Sequence, residues 1–305
     1  MDGFAARVIG GKRLKAAFLP GLNMLCASLT HDGEELLDLR DGLAAYADKG
    51  KTRGIPLLHP WANRLSGDRY EVCGVEVNLV EGGSPIGRDA LGQPIHGLLG
   101  GRSEWEVVHA DESSLTACFE FSSAELLAAF PFPHELTIRA DIRDETLSIT
   151  TRLTATSQRA VPVSFGYHPY FRLPGLPREQ WMLTLPVGER LLLDEHSIPT
   201  GRSEPVHIAA APLADRVFDD AFADILEPRT FVLEGGGRRI EVHFDEGFPF
   251  AQVYAPAASD FVCLEPMTAP TNAIVHGGDI LPLVQPGESF SASWSIRVTA
   301  GDGES

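Results

Sequence analysis

Cysteine is scarce in this sequence and follows no recognisable pattern. The chain has 305 residues and only four cysteines. They are Cys26, Cys73, Cys118 and Cys263. The four lie far apart and form no CxxC pair, so we expect neither a disulfide framework nor a zinc finger. Three of them lie in apolar, strand-like runs, where a free cysteine behaves as a small hydrophobic residue.

Long hydrophobic runs are absent as well. No segment is apolar over the length needed to span a bilayer, and the first 15 residues mix acidic and basic side chains without an apolar core. We therefore expect no membrane span and no signal peptide, and a reducing cytoplasm is the simplest compartment. The chain also has no GxGxxG motif, no P-loop and no βαβ rhythm, which argues against a nucleotide-binding fold.

Positive charge is in short supply. The chain has 25 lysines and arginines against 42 acidic residues, and its formal net charge is −17. Because such a chain repels nucleic acids and anionic membranes, neither is expected as a partner. The charge favours a neutral or cationic small molecule, unless a local basic pocket overrides it. The oligomeric state stays open between a monomer and a homodimer.

Metal-ligand spacings are missing too. The ten histidines include no His-x-His pair and no HExxH motif. His59, His96 and His168 could approach one another only through the fold. The sequence therefore predicts no metal site and no cofactor.

Period-two alternation of apolar and polar residues dominates the chain. His134–Ile142 places every second residue on one face, and Leu147–Leu153 repeats the pattern after a polar turn. This alternation predicts a β-hairpin with one buried face. Further strand pairs are predicted at Tyr70–Val80, at Glu104–Val108 with Leu115–Phe121, at Trp181–Leu193 and at Arg239–Phe244 with Ala251–Tyr254. A last strand is predicted at Phe290–Val298.

Helical signals are few and short. The best are Asp41–Lys49 and Ser123–Phe130, while 30 glycines and 22 prolines interrupt the chain at strand-like intervals. No repeat and no low-complexity linker divides the sequence. We therefore predict one all-β domain over residues 1–305, a large antiparallel β-sandwich with few short helices.

One apolar strand carries a single carboxylate near its end. Phe261–Leu264 is followed by Glu265 and then by Pro266, which cannot donate a ladder hydrogen bond. The strand is therefore expected to stop directly after the acid. A carboxylate fixed at a strand end among apolar neighbours is a candidate general base. The alternative is an edge-strand glutamate at the rim of a sheet.

A second stretch combines an aromatic ring with a guanidinium group. An apolar strand breaks at His59 and a proline, and then delivers Trp61, Asn63 and Arg64 together. The indole offers an apolar face on which a sugar ring can lie, and the arginine is a fixed fork of donors for hydroxyl or carboxylate oxygens. The alternative is a core tryptophan with a surface arginine.

Three further stretches carry candidate polar groups. His96 precedes a glycine in a loop, where a ligand can approach the backbone closely. His168 ends a buried-looking strand beside Tyr170, and its imidazole can act as an acid or a base, unless it only packs in an aromatic cluster. Asp219 and Asp220 lie between phenylalanines, where they could bind hydroxyls or simply form a turn.

Taken in order, these stretches resemble the aldose 1-epimerase (mutarotase) family from about Pro56 to Asn272. The matching pieces are PWANRL at 60–65, HG at 96–97, SFGYHPYFRLPG at 164–175, FDDAF at 218–222 and LEPMTAPTNA at 264–273. The GYHPYF and EPMTAPTNA pieces are specific, whereas HG alone is not. Several matches in the family's order count for more than any one of them.

The resemblance implies a galactose mutarotase-like supersandwich with its site in a cleft on a concave sheet. It also implies cofactor-free interconversion of the α and β anomers of a free aldose such as glucose or galactose. Glu265 matches the family's general base and His168 its general acid. Arg64 and His96 match residues that hold sugar oxygens and assist the charge shift near the ring oxygen.

The remaining contacts expected with the sugar follow from the same match. Asp219 matches a carboxylate that binds sugar hydroxyls, and Asp220 is the neighbouring alternative. We add Asn63, Trp61 and Tyr170 as substrate-binding residues.

Two departures leave the substrate open. The run after the base differs from that of the better-known galactose mutarotases, and His168 is followed by Pro-Tyr rather than Thr-Tyr. A hexose-6-phosphate epimerase would need a basic pocket. Such a pocket could draw on Arg88, Arg102, Arg172 and Arg178. The function also stays open to a non-catalytic sugar-binding or sensing protein, and to a glycosidase that uses Glu265 and Asp219.

Overall fold

The computed structural model describes residues 3–39, 42–80, 86–101, 103–257 and 259–300. These residues form many short strands and three α-helices, α1 (Gly42–Lys49), α2 (Ala124–Ala129) and α3 (Ala273–His276). In chain order the strands are β1 (Arg7–Gly10), β2 (Leu14–Leu19), β3 (Leu25–His31), β4 (Glu34–Glu35), β5 (Leu57–Leu58), β6 (Arg69–Val72), β7 (Val75–Asn78), β8 (Glu106–Ala110), β9 (Ser114–Phe121), β10 (His134–Arg143), β11 (Thr146–Ala155), β12 (Val161–Pro162), β13 (Gly166–Tyr167), β14 (Tyr170–Phe171), β15 (Met182–Thr184), β16 (Val187–Leu193), β17 (Pro199–Pro205), β18 (Ala211–Pro212), β19 (Phe218–Ile225), β20 (Thr230–Gly235), β21 (Arg238–Glu246), β22 (Phe250–Ala255), β23 (Val262–Met267), β24 (Leu283–Val284) and β25 (Ser289–Ala300).

Two large antiparallel sheets make up the body of the fold. The nine-stranded sheet has the order β18-β15-β20-β21-β25-β11-β10-β9-β8. The eight-stranded sheet has the order β17-β16-β19-β22-β23-β13-β5, and β14 also pairs with β23. Strands β1 to β4 form a smaller sheet, and β12-β24 and β6-β7 are separate pairs. The predicted all-β architecture with few short helices is confirmed.

The hydrophobic core lies between the two large sheets. Ile149 and Trp294 from the nine-stranded sheet are fully buried in one cluster with Phe222 and Leu264 from the eight-stranded sheet. The rings of Trp294 and Tyr167 pack across this layer with centroids 5.3 Å apart. Burial of these faces from both sheets removes a large apolar area from water, which is the main stabilising term of a sandwich.

Three of the predicted hairpins are present. Strand β10 pairs with β11 over its whole length, and β8 with β9 and β6 with β7 are also antiparallel neighbours. The alternation works here because one face of each strand is buried and a two-residue period keeps that face apolar. The last predicted strand is β25, which lies between β11 and β21.

Two predicted strand pairs are wrong as pairs. The segment Trp181–Leu193 contains β15 in the nine-stranded sheet and β16 in the eight-stranded sheet. Similarly, β21 lies in the nine-stranded sheet and β22 in the other. Each of these connections crosses from one layer to the other near a proline, Pro186 and Pro249, which cannot donate a ladder hydrogen bond. Alternation identifies a buried face but not the partner strand.

Both predicted helices form at their expected places. Helix α1 covers Gly42–Lys49, while Asp41 lies outside the described residues. Ser123 caps α2, and its hydroxyl accepts a hydrogen bond from the Leu126 amide at 3.3 Å. Helix α3 follows Asn272 and had no sequence signal strong enough to predict it. None of the described helices is long and apolar enough to cross a membrane.

Candidate active site

The candidate residues from five separate stretches converge on one cleft of the eight-stranded sheet. The cleft has a volume of about 230 Å³. Its walls are formed by Asn63, Arg64, Ile95, His96, His168, Tyr170, Asp219, Gln252, Tyr254 and Glu265. Polar side chains predominate, which suits a small ligand rich in hydroxyl groups.

Strand β23 holds Glu265 at the floor of the cleft. Val262 and Leu264 on this strand point into the core between the sheets, so Glu265 and Cys263 project from the opposite face. The Glu265 side chain is only 2% exposed. Gln252 on β22 is its direct neighbour in the ladder. The carboxyl group is therefore fixed within a central strand, and the edge-strand interpretation is wrong.

The strand does not stop after Glu265, because β23 continues through Pro266 to Met267. On the side of β23 away from β22, Gly166 of β13 lies opposite Met267, and Tyr170 of β14 lies opposite Cys263. The ladder is interrupted between these two points. The carbonyl oxygen of Pro266 lies on this side, within 2.8 Å of where a Cβ on Gly166 would be. Pro266 has no N–H to donate. This is tolerated because no strand residue is paired with Pro266 on the side that faces β13 and β14.

The interruption between β13 and β14 is where His168 lies. Its Nε2 atom is 3.4 Å from Oε1 of Glu265, and its side chain is 7% exposed. The imidazole stacks on the ring of Tyr170 with centroids 4.5 Å apart and planes 4° apart. The hydroxyl groups of Tyr170 and Thr52 lie 2.6 Å apart, which anchors the far end of the stack. Packing thus fixes the imidazole beside the carboxyl group.

A second wall comes from the loops around Arg64 and His96. The His96 amide donates to the Asn63 carbonyl at 2.9 Å, and Arg64 forms an isolated bridge with Ile95. Gly97 passes so close to His59 that a Cβ would come within 2.2 Å of its carbonyl oxygen, so only glycine fits there. This close packing places the His96 ring beside the His168 ring, with the two ring centroids 5.4 Å apart.

The opposite wall carries a carboxylate and an amide. The Gln252 side chain donates a 2.8 Å hydrogen bond to Oδ1 of Asp219. Tyr254, which is paired with Asp219 across β19 and β22, completes this side. Asp220 projects from the other face of β19, where its carboxylate is 3.3 Å from the Arg190 guanidinium. Of the two adjacent aspartates, Asp219 is therefore the one in the cleft.

Burial shifts the pKa values of Glu265 and His168 away from their usual values, in opposite directions. Burial raises the pKa of Glu265 well above its usual value, the charge of Asp219 raises it further, and Arg64 acts in the opposite direction. Burial lowers the pKa of His168 well below its usual value, and His96 also lowers it. Both shifts therefore favour a proton on the carboxyl group over a proton on the imidazole.

The other two titratable groups of the walls are also shifted. Burial, followed by the positive charge of Arg64, lowers the pKa of His96 to about 3, so this imidazole is neutral. Burial raises the pKa of Asp219, whereas Arg64 and the hydrogen bond from Gln252 act to lower it. Perturbed values of this kind cluster at functional sites.

The sequence comparison assigns the chain with this fold and cleft to one family. The profile of the family described as Aldose 1-epimerase matches residues 26–297. The chain belongs to the aldose 1-epimerase family. Its resemblance to that family, read from the motifs alone, is thereby confirmed.

Individual relatives and solved structures are similar to this chain at modest sequence identity. The uncharacterized protein YphB of Escherichia coli (strain K12) is 29% identical over 281 residues, which are 82% of this chain and 87% of the relative. A galactose mutarotase-like protein of Clostridium acetobutylicum has a TM-score of 0.84 at 16% identity and covers 96% of this chain and 94% of its own. The Slr1438 protein of Synechocystis sp. PCC 6803 has a TM-score of 0.80 at 24% identity, covering 97% and 96%. These two structures share the fold.

The prediction that Trp61 contacts the sugar is wrong. Trp61 is 1% exposed, belongs to the hydrophobic core and does not line the cleft. Trp61 forms an isolated bridge with Ser164, and its indole lies in the hydrophobic core. The indole therefore cannot provide a platform for a sugar ring, whereas Asn63 and Arg64, two and three residues later, do reach the cleft.

Sequence reasoning missed Ile95, Gln252 and Tyr254 in the cleft walls. The sequence did carry a signal for Gln252. It lies between Ala251 and Val253, which are small or apolar and face the core, so Gln252 must project from the opposite face of the strand. A polar residue on the second face of a buried strand needs a partner. Here Asp219 is that partner.

Three of the four arginines considered for a phosphate pocket lie outside the cleft. Arg178 is buried, and its guanidinium donates to the backbone carbonyls of Ala214 at 2.8 Å and Ser259 at 2.6 Å. Arg88 pairs with Asp68 at 2.7 Å. Arg172 lines a separate surface pocket with Arg178, and Arg102 lies outside the described residues. Arg64 is therefore the only arginine or lysine among the described residues that line the cleft.

Histidines do not converge as a set of three. His59 is buried against His134, with their Nε2 atoms 2.7 Å apart, and takes no part in the cleft. Among the described residues, the only group with metal-ligand geometry consists of His168, Cys263 and Glu265. The sequence motifs gave no sign of it, because two of its members are separated from the third by almost a hundred residues.

Proposed function

We propose that the protein is an aldose 1-epimerase that interconverts the α and β anomers of an unphosphorylated hexose by general acid–base catalysis. The observation that supports this function is the 3.4 Å separation of Glu265 Oε1 and His168 Nε2 at the floor of one cleft. A pyranose hemiacetal presents its anomeric hydroxyl and its ring oxygen on adjacent atoms. One acid and one base held close together can therefore serve both oxygens at once.

Ring opening uses the arrangement in which the shared proton lies on the imidazole. The Glu265 carboxylate takes the proton of the O1 hydroxyl while His168 gives its proton to O5, and the C1–O5 bond breaks to leave an aldehyde. Glu265 is then protonated and His168 is neutral, which is the proton distribution that burial favours. Rotation about C1–C2 exposes the other carbonyl face, and the same transfers in reverse close the ring.

The walls supply the binding contacts for the sugar hydroxyls. Arg64 and Asn63 offer donors and an acceptor on one side, and Asp219 with Gln252 offers a carboxylate and an amide on the other. His96 is neutral and can hold an oxygen next to the reacting atoms without repelling an imidazolium at His168. Tyr170 keeps the imidazole oriented by stacking.

An unphosphorylated sugar is favoured by the charges around the cleft. Arg64 already donates through Nε to Asp89 at 2.8 Å and through another nitrogen to Asn63 at 3.1 Å. The nearby carboxylate of Asp219 opposes the approach of a dianion. Binding of a phosphate group would need a further cation in the cleft. Arg64 is the only arginine or lysine among the described residues that line it.

The test is anomerisation of freshly dissolved α-glucose and α-galactose, followed by polarimetry or NMR exchange, alongside the corresponding 6-phosphates. We expect Glu265→Gln and His168→Gln each to lower kcat by about 10²–10⁴-fold, the usual effect of one general acid or base. Glu120→Gln, an exposed change on β9, is the matched control and should have no effect.

Two results would count against the proposal. If Glu265→Gln catalysed anomerisation at the wild-type rate, Glu265 could not be the general base. Tight sugar binding by the wild-type protein without any acceleration would favour a sugar-binding or sensing protein instead.

A further inference from the structure

One group of side chains at the floor of the cleft has metal-ligand character in addition to its place in acid–base chemistry. The ligand atoms of His168, Cys263 and Glu265 all lie within 4.8 Å of one another, and all three side chains are buried. Cys263 and Glu265 are two residues apart on β23, so their side chains leave the same face of the strand. Cys263 does not line the cleft and has no part in the proposed proton transfers.

The spacing within this group fits tetrahedral coordination. Zinc binds imidazole nitrogen at about 2.0–2.1 Å and carboxylate oxygen at about 2.0–2.2 Å, which places two such ligands about 3.4 Å apart at a tetrahedral angle. The measured distance between His168 Nε2 and Glu265 Oε1 is 3.4 Å. The Cys263 sulfur lies within 4.8 Å of both of these atoms. A zinc–sulfur bond of about 2.3 Å places a thiolate about 3.6 Å from its fellow ligands, so Cys263 can supply the third ligand after a small approach.

The backbone holds these three positions before any ion binds. Cys263 is in the ladder between Tyr170 of β14 and Tyr254 of β22, and Glu265 is paired with Gln252. His168 is fixed by its stacking on Tyr170. A site assembled from paired strands loses little conformational freedom on binding, which favours affinity.

The ligand set selects among metal ions. One thiolate, one imidazole and one carboxylate suit zinc and its spectroscopic substitute cobalt, whereas magnesium and calcium prefer oxygen ligands alone. Binding would release the thiol proton of Cys263 to solvent, because the thiolate is the ligand form. The net charge of −17 favours the approach of a divalent cation.

We propose that His168, Cys263 and Glu265 form an inhibitory zinc site in the free enzyme, and that sugar and zinc compete for the cleft. Zinc bound there occupies the lone pairs of the same carboxylate and imidazole that move protons to and from the sugar. Three protein ligands would leave a fourth coordination position, which a water molecule could take. The inhibitory effect rests on the proposed function, whereas the existence of the metal site does not.

The experiment compares the wild-type protein with Cys263→Ser and with the control Cys118→Ser, a partly buried cysteine on β9. Cobalt is added to each protein, and thiolate-to-cobalt charge-transfer absorption is recorded. Zinc inhibition of anomerisation is then measured with and without a chelator. We expect the absorption band in the wild type and in Cys118→Ser but not in Cys263→Ser. The zinc concentration for half inhibition should rise more than about tenfold in Cys263→Ser, whose activity without zinc is unchanged.

The outcomes separate the two proposals. Absence of the charge-transfer band from the wild-type protein would overturn the metal site. Equal zinc inhibition of the wild type and Cys263→Ser would overturn inhibition through this site. A cobalt band in a protein that accelerates no tested sugar would support the metal site while the proposed function fails. Cys263→Ala provides the same comparison if the serine variant does not fold.

Discussion

Oδ2 of Asp89 accepts a 2.8 Å hydrogen bond from Nε of Arg64. The other oxygen of this carboxylate accepts hydrogen bonds from the Leu91 and Gln93 amides, both at 2.9 Å, which closes the turn of the loop that leads to His96. Asp89 itself does not line the cleft. A single carboxylate therefore positions a cleft arginine and shapes the loop beside it.

Asp89→Asn should lower kcat/KM by about tenfold, because a hydrogen bond between charged groups is worth about 1.5–3 kcal/mol. Asparagine keeps an oxygen for the turn amides but cannot accept from Arg64 in the same orientation. We therefore expect no added loss from Asp89→Asn when Arg64 is already alanine. A double-mutant cycle on kcat/KM measures this coupling. Equal losses in both backgrounds would mean that Asp89 acts only through the loop.

Two adjacent aspartates offer a matched pair of substitutions. Asp219 accepts from Gln252 within the cleft, whereas Asp220 pairs with Arg190 on the other face of β19. We expect Asp219→Asn to raise KM for the sugar by about tenfold, because a charge-assisted hydrogen bond to a hydroxyl is lost. Asp220→Asn should leave KM unchanged. Steady-state kinetics on both variants tests this, and a larger effect at Asp220 would contradict the placement of the two side chains.

The sequence was sufficient to predict most of the polar residues that line the cleft. Glu265, His168, His96, Arg64 and Asp219 stand in motifs whose order is specific, and the fold brings all five to one cleft. The architecture was predictable because each buried face repeats with a period of two. What alternation could not supply was the partner of each strand. This is why β15 with β16, and β21 with β22, were wrongly paired across the two layers.

The misplaced and missed residues have a common physical origin. Trp61 lies two positions before Asn63 in the same motif, and only the three-dimensional course of that loop decides which side chain faces the core. Asp89 contacts Arg64, from which it is 25 positions away in the sequence. Neither motif nor periodicity encodes such a contact. Side-chain direction in loops and long-range pairing therefore required the structure.

Trp61 provides a test of that correction. Removing a buried indole should cost about 3–5 kcal/mol of unfolding free energy in Trp61→Ala, because a cavity is left in the core. In the milder variant Trp61→Phe, KM for the sugar should stay at the wild-type value. Tyr254→Leu, on the cleft wall, should instead raise KM with a smaller loss of stability. Urea unfolding and steady-state kinetics measure the two quantities, and a raised KM in Trp61→Phe would restore the indole as a sugar contact.

A buried histidine pair makes stability sensitive to acid. Nε2 of His59 lies 2.7 Å from Nε2 of His134, and both side chains are 1% exposed. Burial lowers the pKa of His134 to about 4, and burial together with His134 lowers the pKa of His59 well below its usual value. In the unfolded chain both groups titrate at about 6.5. The stabilisation is therefore fully present above about pH 6.5 and is lost as the pH falls toward about 4, because the unfolded chain then binds more protons.

The variant His134→Gln keeps an oxygen that can accept from His59 but removes one titrating group. Over the acid range, each such histidine adds a slope of about 1.4 kcal/mol per pH unit to the free energy of unfolding. We expect His134→Gln to reduce the slope by about one proton, even though its absolute stability is lower. Urea unfolding at about pH 7.5, 6 and 5 gives the slopes. The exposed change His207→Gln is the control, and an unchanged slope in His134→Gln would show that the pair is not the source of the acid sensitivity.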